Sequence, residues 1–134
     1  MTILSTWSFE HTEPIFGCGV DAERTDRFRD CCAPDGEPWT ALFTPREVTH
    51  NSTLDDPALG FCAGFCSKEA LIKALGVPID YRQCELLLSP PEEVHSLHLA
   101  PEFCDEHGVF RGVARVMHHA ETRECVVAVC VFRR

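Results

Sequence analysis

Residues 61–76 read Phe61-Cys62-Ala63-Gly64-Phe65-Cys66-Ser67-Lys68-Glu69-Ala70-Leu71-Ile72-Lys73-Ala74-Leu75-Gly76, and this stretch predicts the greater part of one long helix. Asp56 can accept hydrogen bonds from the first free amides, and Pro57 suits the first helical position. Gly76 can terminate the helix, and Pro78 prevents it from continuing. The charged residues near the centre of the helix therefore do not lie at a frayed end.

Two of these charged residues, Glu69 and Lys73, lie four positions apart, so their side chains share one side of the helix. A solvent-exposed ion pair is one interpretation, because such pairs are common and contribute only about 0.2 to 0.5 kcal/mol. The surroundings favour a second interpretation, since Cys62, Cys66 and Gly64 give this side small, weakly polar neighbours. The helix is therefore a candidate carrier of a functional carboxylate and ammonium group.

Two segments that precede the helix also have clear local signals. The apolar run Ile15–Val20 predicts a buried strand with Asp21 at its carboxyl end. A helical pattern follows from Asp21 to about Cys32, and the segment Pro34-Asp35-Gly36 predicts a turn. A short helix is expected to begin at Thr44-Pro45-Arg46-Glu47, which has the capping-box pattern with proline at the first helical position.

The segments after Gly76 predict mainly strands. Cys125–Phe132 is apolar at successive positions, which predicts a central strand covered on both faces. The other predicted elements are strands at Cys84–Leu88, Val94–Leu99 and Val113–Met117 and a helical turn at Pro101–Glu106. The expected fold class is therefore α+β, with a mostly antiparallel sheet packed against one long helix.

Length and composition limit the function classes. The 134 residues suit one domain, which we place at residues 15–134 after an N-terminal extension at residues 1–14. The net charge of −9 disfavours binding to nucleic acid or to anionic membranes. The sequence has neither an apolar run of the ~20 residues that a membrane-spanning helix needs nor a secretory signal pattern, so we expect a cytoplasmic protein. The nine cysteines are then expected to be reduced.

Three segments occur in an order that resembles a known family. They are Gly19-Val20-Asp21, Phe43-Thr44-Pro45-Arg46-Glu47 and the helix segment from Phe65 to Gly76. This arrangement is similar to the pattern of the 4′-phosphopantetheinyl transferases of the holo-acyl-carrier-protein synthase type. In that family the segments are G-[IV]-D, F-T-x-x-E and F-x-x-K-E-A-x-x-K-A-[LF]-G, of which the third is the most specific.

The resemblance implies a magnesium-dependent enzyme that moves the 4′-phosphopantetheine arm of coenzyme A to a serine of an apo carrier protein, such as acyl carrier protein. The other product would be 3′,5′-adenosine bisphosphate. By the same resemblance, Asp21 and Glu69 would bind Mg²⁺, and together with Lys73 they would be catalytic. The residues expected to contact coenzyme A are Lys73, Arg27, Lys68 and His119. The family likeness also implies a homotrimer with its active site at a subunit interface.

Two other functions stay open at this point. Gly64 stands where the family commonly has arginine, which predicts the loss of a phosphate contact, and His119 follows a histidine where the family has serine. These departures favour a non-catalytic relative that binds a carrier protein or assembles a synthase complex. The cysteine content would suit a redox or zinc protein, although the paired C-x2-C spacings of structural zinc sites are absent from the sequence.

Overall fold

The structure, a computed structural model, describes residues 14–32 and 41–133. Its helices are α1 (Pro45–Ser52), α2 (Pro57–Leu75) and α3 (Pro101–His107). Segments of 3-10 helix cover Thr25–Cys32 and Tyr81–Gln83. The strands are β1 (Ile15–Arg24), β2 (Cys84–Glu85), β3 (Val94–Leu99), β4 (Val109–His119) and β5 (Glu124–Arg133). They form a five-stranded antiparallel sheet in the order β1-β5-β4-β3-β2, so the predicted α+β class is confirmed.

The helix boundaries follow from the capping residues predicted in the sequence. Asp56 accepts a hydrogen bond from the amide of Leu59 at 3.4 Å, and Gly76 ends α2 with a left-handed φ of 76°. At the start of α1, the Thr44 hydroxyl and the Glu47 carboxylate each accept a hydrogen bond from the other residue's amide, both at 3.1 Å. The capping box is therefore confirmed. Glu47, its second member, is buried.

Three strand predictions were wrong in their extent, and one of them is β4, which covers Val109–His119 instead of the predicted Val113–Met117. Strand β1 continues past Asp21 to Arg24, which pairs with Glu124 of β5, so Asp21 lies inside the strand and the following segment is a 3-10 helix. In residues 21–24, pairing with β5 overrides the helical pattern of the sequence. Strand β2 includes only Cys84–Glu85 of the predicted Cys84–Leu88. The turn predicted at residues 34–36 and the extension at residues 1–13 lie outside the described residues.

Helix α2 packs closely against strand β1 through two glycines. A Cβ atom at Gly17 would lie 2.2 Å from the carbonyl oxygen of Ala74, and one at Gly19 would lie 2.1 Å from that of Ala70. Only glycine allows the helix and strand backbones to come this close. The face of the sheet that α2 covers, here called the inner face, also includes the buried residues Val127, Val129 and Val131.

The opposite face of the sheet is partly exposed and largely apolar. The predicted cover on both faces of β5 was wrong for the described chain, because the residues of β5 that alternate with Val127 and Val129 are only half-buried. We call this surface the outer face, and its residues include Cys18, Val20, Met117, Val126, Ala128 and Cys130. Val20 on the edge strand β1 is 54% exposed, so the described part of the chain leaves this face uncovered.

Among the described residues, no helix is both long enough and apolar enough to cross a membrane.

Candidate active site

The contact between α2 and β1 brings Lys73 to Asp21. The Lys73 ammonium donates to Asp21 Oδ1 at 3.1 Å and to the carbonyl oxygen of Val20 at 2.9 Å. The side chain of Lys73 is 56% exposed and that of Asp21 is 18% exposed, so the pair lies at the protein surface. Throughout residues 14–32 and 41–133, no ion pair joins Lys73 to Glu69, so the simple helix-surface pair is not formed.

Glu69 instead accepts a hydrogen bond from Tyr81. The Tyr81 hydroxyl donates to Glu69 Oε2 from the start of the second 3-10 helix. Burial, this hydrogen bond and the charges of Glu69 and Asp21 together raise the pKa of Tyr81 to about 12. The phenol therefore stays a neutral donor at physiological pH, and both carboxylates lie close enough to affect it. Sequence reasoning missed Tyr81, although it is the only tyrosine in the chain.

Each of the two carboxylates keeps one oxygen without a hydrogen bond from the described part of the chain. Asp21 uses Oδ1 for Lys73, and Glu69 uses Oε2 for Tyr81, which leaves Asp21 Oδ2 and Glu69 Oε1. Mg²⁺ binds oxygen ligands, requires only one or two protein carboxylates and keeps several waters. The donor set of Asp21 and Glu69 therefore fits a magnesium ion.

Arg27 lies on the first 3-10 helix, one residue before the buried Phe28. Its guanidinium forms an ion pair with Glu23, four residues earlier. The hydrogen bond and the negative charge of Glu23 raise the pKa of Arg27. The side chain is 59% exposed, so its charge is accessible while Glu23 neutralises part of it.

The structure does not bring His119 to these residues within one chain. His119 ends β4 opposite Glu124, on the outer face, whereas Asp21 pairs with Val127 on the inner face. The ring nitrogen Nδ1 of His119 accepts from the Thr122 amide at 3.3 Å and contacts the Thr122 hydroxyl at 3.2 Å. His119 also lines a surface cavity of about 390 Å³ together with Met117, His118, Thr122, Glu124 and Val126.

The structure corrects the expected role of Lys68 in coenzyme binding. Its side chain is fully buried, and its ammonium contacts Glu47 Oε1 at 2.8 Å, the carbonyl oxygen of Tyr81 at 2.6 Å and the carbonyl oxygen of Cys84. These contacts use all three donors of an ammonium group, so Lys68 has none left for a ligand. Glu47 was identified from sequence only as a capping residue, and its ion pair with Lys68 was missed.

The structure also changes the interpretation of Gly64. A Cβ atom at Gly64 would point into the core, 3.2 Å from a ring carbon of Phe43 and 3.6 Å from Glu47 Oε2. The position faces Phe43 and the buried Glu47 and not the exposed Lys73–Asp21 pair. Glycine at this position therefore does not by itself remove a phosphate contact from the site.

The cysteines of the described segments are mainly core residues. Cys62, Cys66, Cys84, Cys104 and Cys125 are buried, whereas Cys18 and Cys130 face each other across two strands with their sulfur atoms 3.0 Å apart. Hydrogen bonds to Cys125 and Cys62, followed by burial, raise the pKa of Cys66. Within the same segments, no three or more His, Cys, Asp or Glu side chains form a group that could hold a metal ion, so no closed zinc site is formed there.

Comparisons with known proteins agree with this geometry. A family model described as the 4′-phosphopantetheinyl transferase superfamily matches residues 17–130. A holo-[acyl-carrier-protein] synthase of Anaeromyxobacter sp. (strain K) is 33% identical over 121 residues, which cover 86% of this chain and 91% of that protein.

Solved structures of holo-[acyl-carrier-protein] synthases have the same fold at low sequence identity to this chain. The holo-[acyl-carrier-protein] synthase of Neisseria meningitidis superposes with a TM-score of 0.70 at 20% identity and covers 90% of this chain and 99% of that chain. The synthase of Helicobacter pylori, solved in complex with coenzyme A, gives a TM-score of 0.67 at 22% identity and covers 86% of this chain and 98% of that chain.

Proposed function

This chain belongs to the 4′-phosphopantetheinyl transferase superfamily, and we propose that it acts as a holo-[acyl-carrier-protein] synthase. It transfers the 4′-phosphopantetheine arm of coenzyme A to a serine of an apo carrier protein and releases 3′,5′-adenosine bisphosphate. The observation that carries the proposal is the convergence of Asp21, Glu69 and Lys73 at the contact between β1 and α2. A cytoplasmic location, expected from the sequence, is part of the proposal.

Two carboxylates of the chain would hold a divalent cation for this reaction. Asp21 and Glu69 would bind it through Oδ2 and Oε1, the oxygens without hydrogen bonds from the described residues. When bound, Mg²⁺ would neutralise negative charge on the diphosphate of coenzyme A. Glu69 would also orient the carrier serine hydroxyl or a water that accepts its proton.

The cationic residues would hold the phosphates of coenzyme A. Lys73 has a third ammonium donor beyond its contacts with Asp21 and Val20, and its exposed side chain can direct this donor to a phosphate oxygen. Arg27 would contact either the coenzyme or the acidic carrier protein, because its guanidinium is exposed on the first 3-10 helix. Such contacts would place the diphosphate near the two carboxylates.

A homotrimer would complete the site. The outer face is apolar and partly exposed, as expected of a surface that is covered in a symmetric assembly. His119 and Asp21 lie on opposite faces of the sheet, so one chain cannot direct both at the same coenzyme molecule. Association through the outer face would allow His119 of one subunit to complete the coenzyme site of its neighbour.

Transfer to a carrier protein tests this function directly. The purified chain is incubated with coenzyme A, Mg²⁺ and a panel of apo carrier proteins, and mass spectrometry then measures the phosphopantetheine increment. We expect modification of at least one carrier and its loss when the cation is removed by chelation. A wild-type chain that binds carriers but modifies none would instead support the non-catalytic module.

Variants of the two carboxylates test the assignment of the site. Glu69→Gln removes a charge that we assign to the cation and should reduce transfer by about 10²-fold or more. Asp21→Asn should raise the Mg²⁺ concentration required for half-maximal transfer. Glu106→Gln is a matched control, because Glu106 is 69% exposed on α3 and belongs to neither α2 nor the outer face. Equal transfer by the Glu69 and Glu106 variants would exclude this site.

A further inference from the structure

Tyr81 is held at both its backbone and its side chain. Its carbonyl oxygen accepts from the buried Lys68 ammonium at 2.6 Å, while its hydroxyl donates to Glu69 Oε2. Lys68 and Glu69 are successive residues of α2 whose surroundings differ, because Lys68 is fully buried and Glu69 is half-buried beside the Tyr81 hydroxyl. One residue of the loop after α2 therefore links the buried ion pair to a proposed metal ligand.

The backbone around Tyr81 is also fixed locally. Asp80 caps the 3-10 helix Tyr81–Gln83 by accepting from the amide of Arg82 at 3.0 Å. The Lys68 ammonium holds the carbonyl oxygen of Cys84 as well, at the other end of this short helix. The backbone at Tyr81 is thus held by contacts that do not involve the Tyr81 hydroxyl group.

We propose that Tyr81 is a positioning residue that restricts Glu69 to binding a divalent cation through Oε1 alone. This inference rests on the proposed function, in which Glu69 is a metal ligand. The hydrogen bond occupies Oε2 and restrains the carboxylate, so Oε1 is the oxygen without a hydrogen bond from the described residues. Hydrogen-bond partners of metal ligands commonly change metal affinity by about 10- to 100-fold when they are removed.

One-oxygen binding has a consequence for the choice of metal. Ca²⁺ accepts carboxylates through both oxygens and has a flexible coordination shell, whereas Mg²⁺ requires a compact octahedral one. A phenol that occupies Oε2 opposes two-oxygen binding and therefore disfavours Ca²⁺ relative to Mg²⁺. Tyr81 thus contributes to metal selectivity without touching the coenzyme or the cation.

The test compares wild type with Tyr81→Phe, which keeps the ring and the carbonyl contact to Lys68. Binding of Mn²⁺ in the presence of coenzyme A is followed by electron paramagnetic resonance, and Mg²⁺ and Ca²⁺ are titrated as competitors. We expect Tyr81→Phe to raise the Mg²⁺ concentration that displaces Mn²⁺ about tenfold. The corresponding Ca²⁺ concentration should rise by less. An unchanged ratio of Mg²⁺ to Ca²⁺ affinity, or a ratio that rises, overturns the inference.

Two further measurements separate this role from a general loss of structure. At saturating Mg²⁺, transfer by Tyr81→Phe should approach the wild-type rate, which an unfolded variant could not reach. Ser52→Ala removes a hydroxyl hydrogen bond of 2.8 Å to Val48 on α1, and this control should leave the metal ratio unchanged. A rate that stays at least tenfold low at saturating Mg²⁺ contradicts a positioning role.

The same experiment distinguishes failure of the inference from failure of the proposed function. A wild-type chain that binds no Mn²⁺ with coenzyme A and transfers nothing refutes both the metal site and the role of Tyr81. A wild-type chain that binds Mn²⁺ and catalyses transfer, beside a Tyr81→Phe variant with the wild-type metal ratio, refutes only the inference.

Discussion

Two lysines of α2 show how burial separates a structural charge from one that a ligand can reach. Lys68 has no exposed surface and binds Glu47 together with two carbonyl oxygens, whereas Lys73 is 56% exposed and contacts Asp21. A buried ammonium must be compensated completely, because desolvation of an unpaired charge is costly. The two residues lie in the same sequence motif, so the motif alone does not reveal which lysine can reach a ligand.

Removal of the buried lysine should affect stability more than removal of the exposed one. Lys68→Met leaves the Glu47 carboxylate buried without its partner, and we expect a loss of about 3 to 5 kcal/mol in the free energy of unfolding. Lys73→Met should cost less than about 1 kcal/mol while it reduces transfer. Urea denaturation and the transfer assay measure these effects. Similar unfolding free energies for the two variants would contradict the distinction.

The buried thiol of Cys84 should make the protein sensitive to alkaline pH. Burial raises the pKa of Cys84 from 9.0 to about 12, so the unfolded chain releases this proton at lower pH than the native chain does. The corresponding stability is present below pH 9 and is lost between pH 9 and pH 12. Cys84→Ala should therefore reduce the decline of stability in this window by about 1.4 kcal/mol per pH unit.

Urea midpoints measured from pH 8 upward test this expectation. Cys84→Ala lowers the baseline stability because it leaves a small cavity, so the slope with pH is the quantity to compare. The raised pKa of Tyr81 also lowers stability between pH 10 and pH 12, and this decline is the same in wild type and Cys84→Ala because both contain Tyr81. Identical slopes in wild type and variant would show that Cys84 ionises equally easily in both states.

Among the secondary-structure elements, those with local signals were predicted best. Helix α2 begins after Asp56 and ends before Gly76 because its own caps determine these boundaries. Strand β1 was predicted too short because its last residues are extended only by pairing with β5, more than 100 residues away in the sequence. Boundaries that depend on a distant partner cannot be obtained from a local pattern.

The same distinction applies to the site. Asp21, Glu69 and Lys73 were proposed from the order of three motifs, and the structure places them together. Tyr81 and the pairing of Glu47 with Lys68 were missed because they depend on how the loop after α2 folds back onto the helix. The likeness to a family therefore gave candidates for ligand contact, Lys68 among them, but it did not indicate the contacts that hold Lys68 and Glu69 in place.

The close contact between β1 and α2 should not tolerate a side chain at Gly19. A Cβ atom there would lie 2.1 Å from the carbonyl oxygen of Ala70 and 2.9 Å from the amide nitrogen of Ala74, and these backbone atoms cannot shift independently. Gly19→Ala should therefore separate the helix from the strand, move Lys73 away from Asp21 and cost at least about 2 kcal/mol. Urea denaturation and the transfer assay should both reveal the loss.

Gly64→Ala provides the matched control for this prediction. The nearest atom to its new Cβ would be a ring carbon of Phe43 at 3.2 Å, and a side chain can move more easily than a backbone. Alanine is also favoured over glycine in a helix by about 1 kcal/mol, which offsets the tighter packing. If Gly64→Ala were as damaging as Gly19→Ala, the close backbone approach would not explain the glycine at position 19.

In the complete fold, the sheet separates two groups of functional candidates. The carboxylates and Lys73 lie on the inner face beside α2, whereas His119 and its cavity lie on the outer face. The exposed apolar residues of the outer face support association of subunits through that face. A complete site would then combine the inner-face residues of one subunit with His119 of another.

Mixing of inactive subunits tests this arrangement. Glu69→Gln and His119→Ala chains, each expected to transfer poorly alone, are co-expressed and purified through different tags so that only mixed oligomers are retained. In every mixed trimer one of the three interfaces would combine an intact Glu69 with an intact His119, so transfer should recover to about a third of wild type. The transfer assay and light scattering measure the rate and the oligomeric mass.

The control for this complementation is a pair of variants that damage the same side of the interface. Co-expressed Glu69→Gln and Asp21→Asn chains leave no interface with both carboxylates intact, because these residues belong to one subunit's site. Their mixed oligomers should therefore remain as inactive as the less impaired variant alone. Recovery only in the mixture with His119→Ala would place the histidine in the neighbouring subunit. Equal rates in the two mixtures, or a monomeric mass, would contradict a shared site.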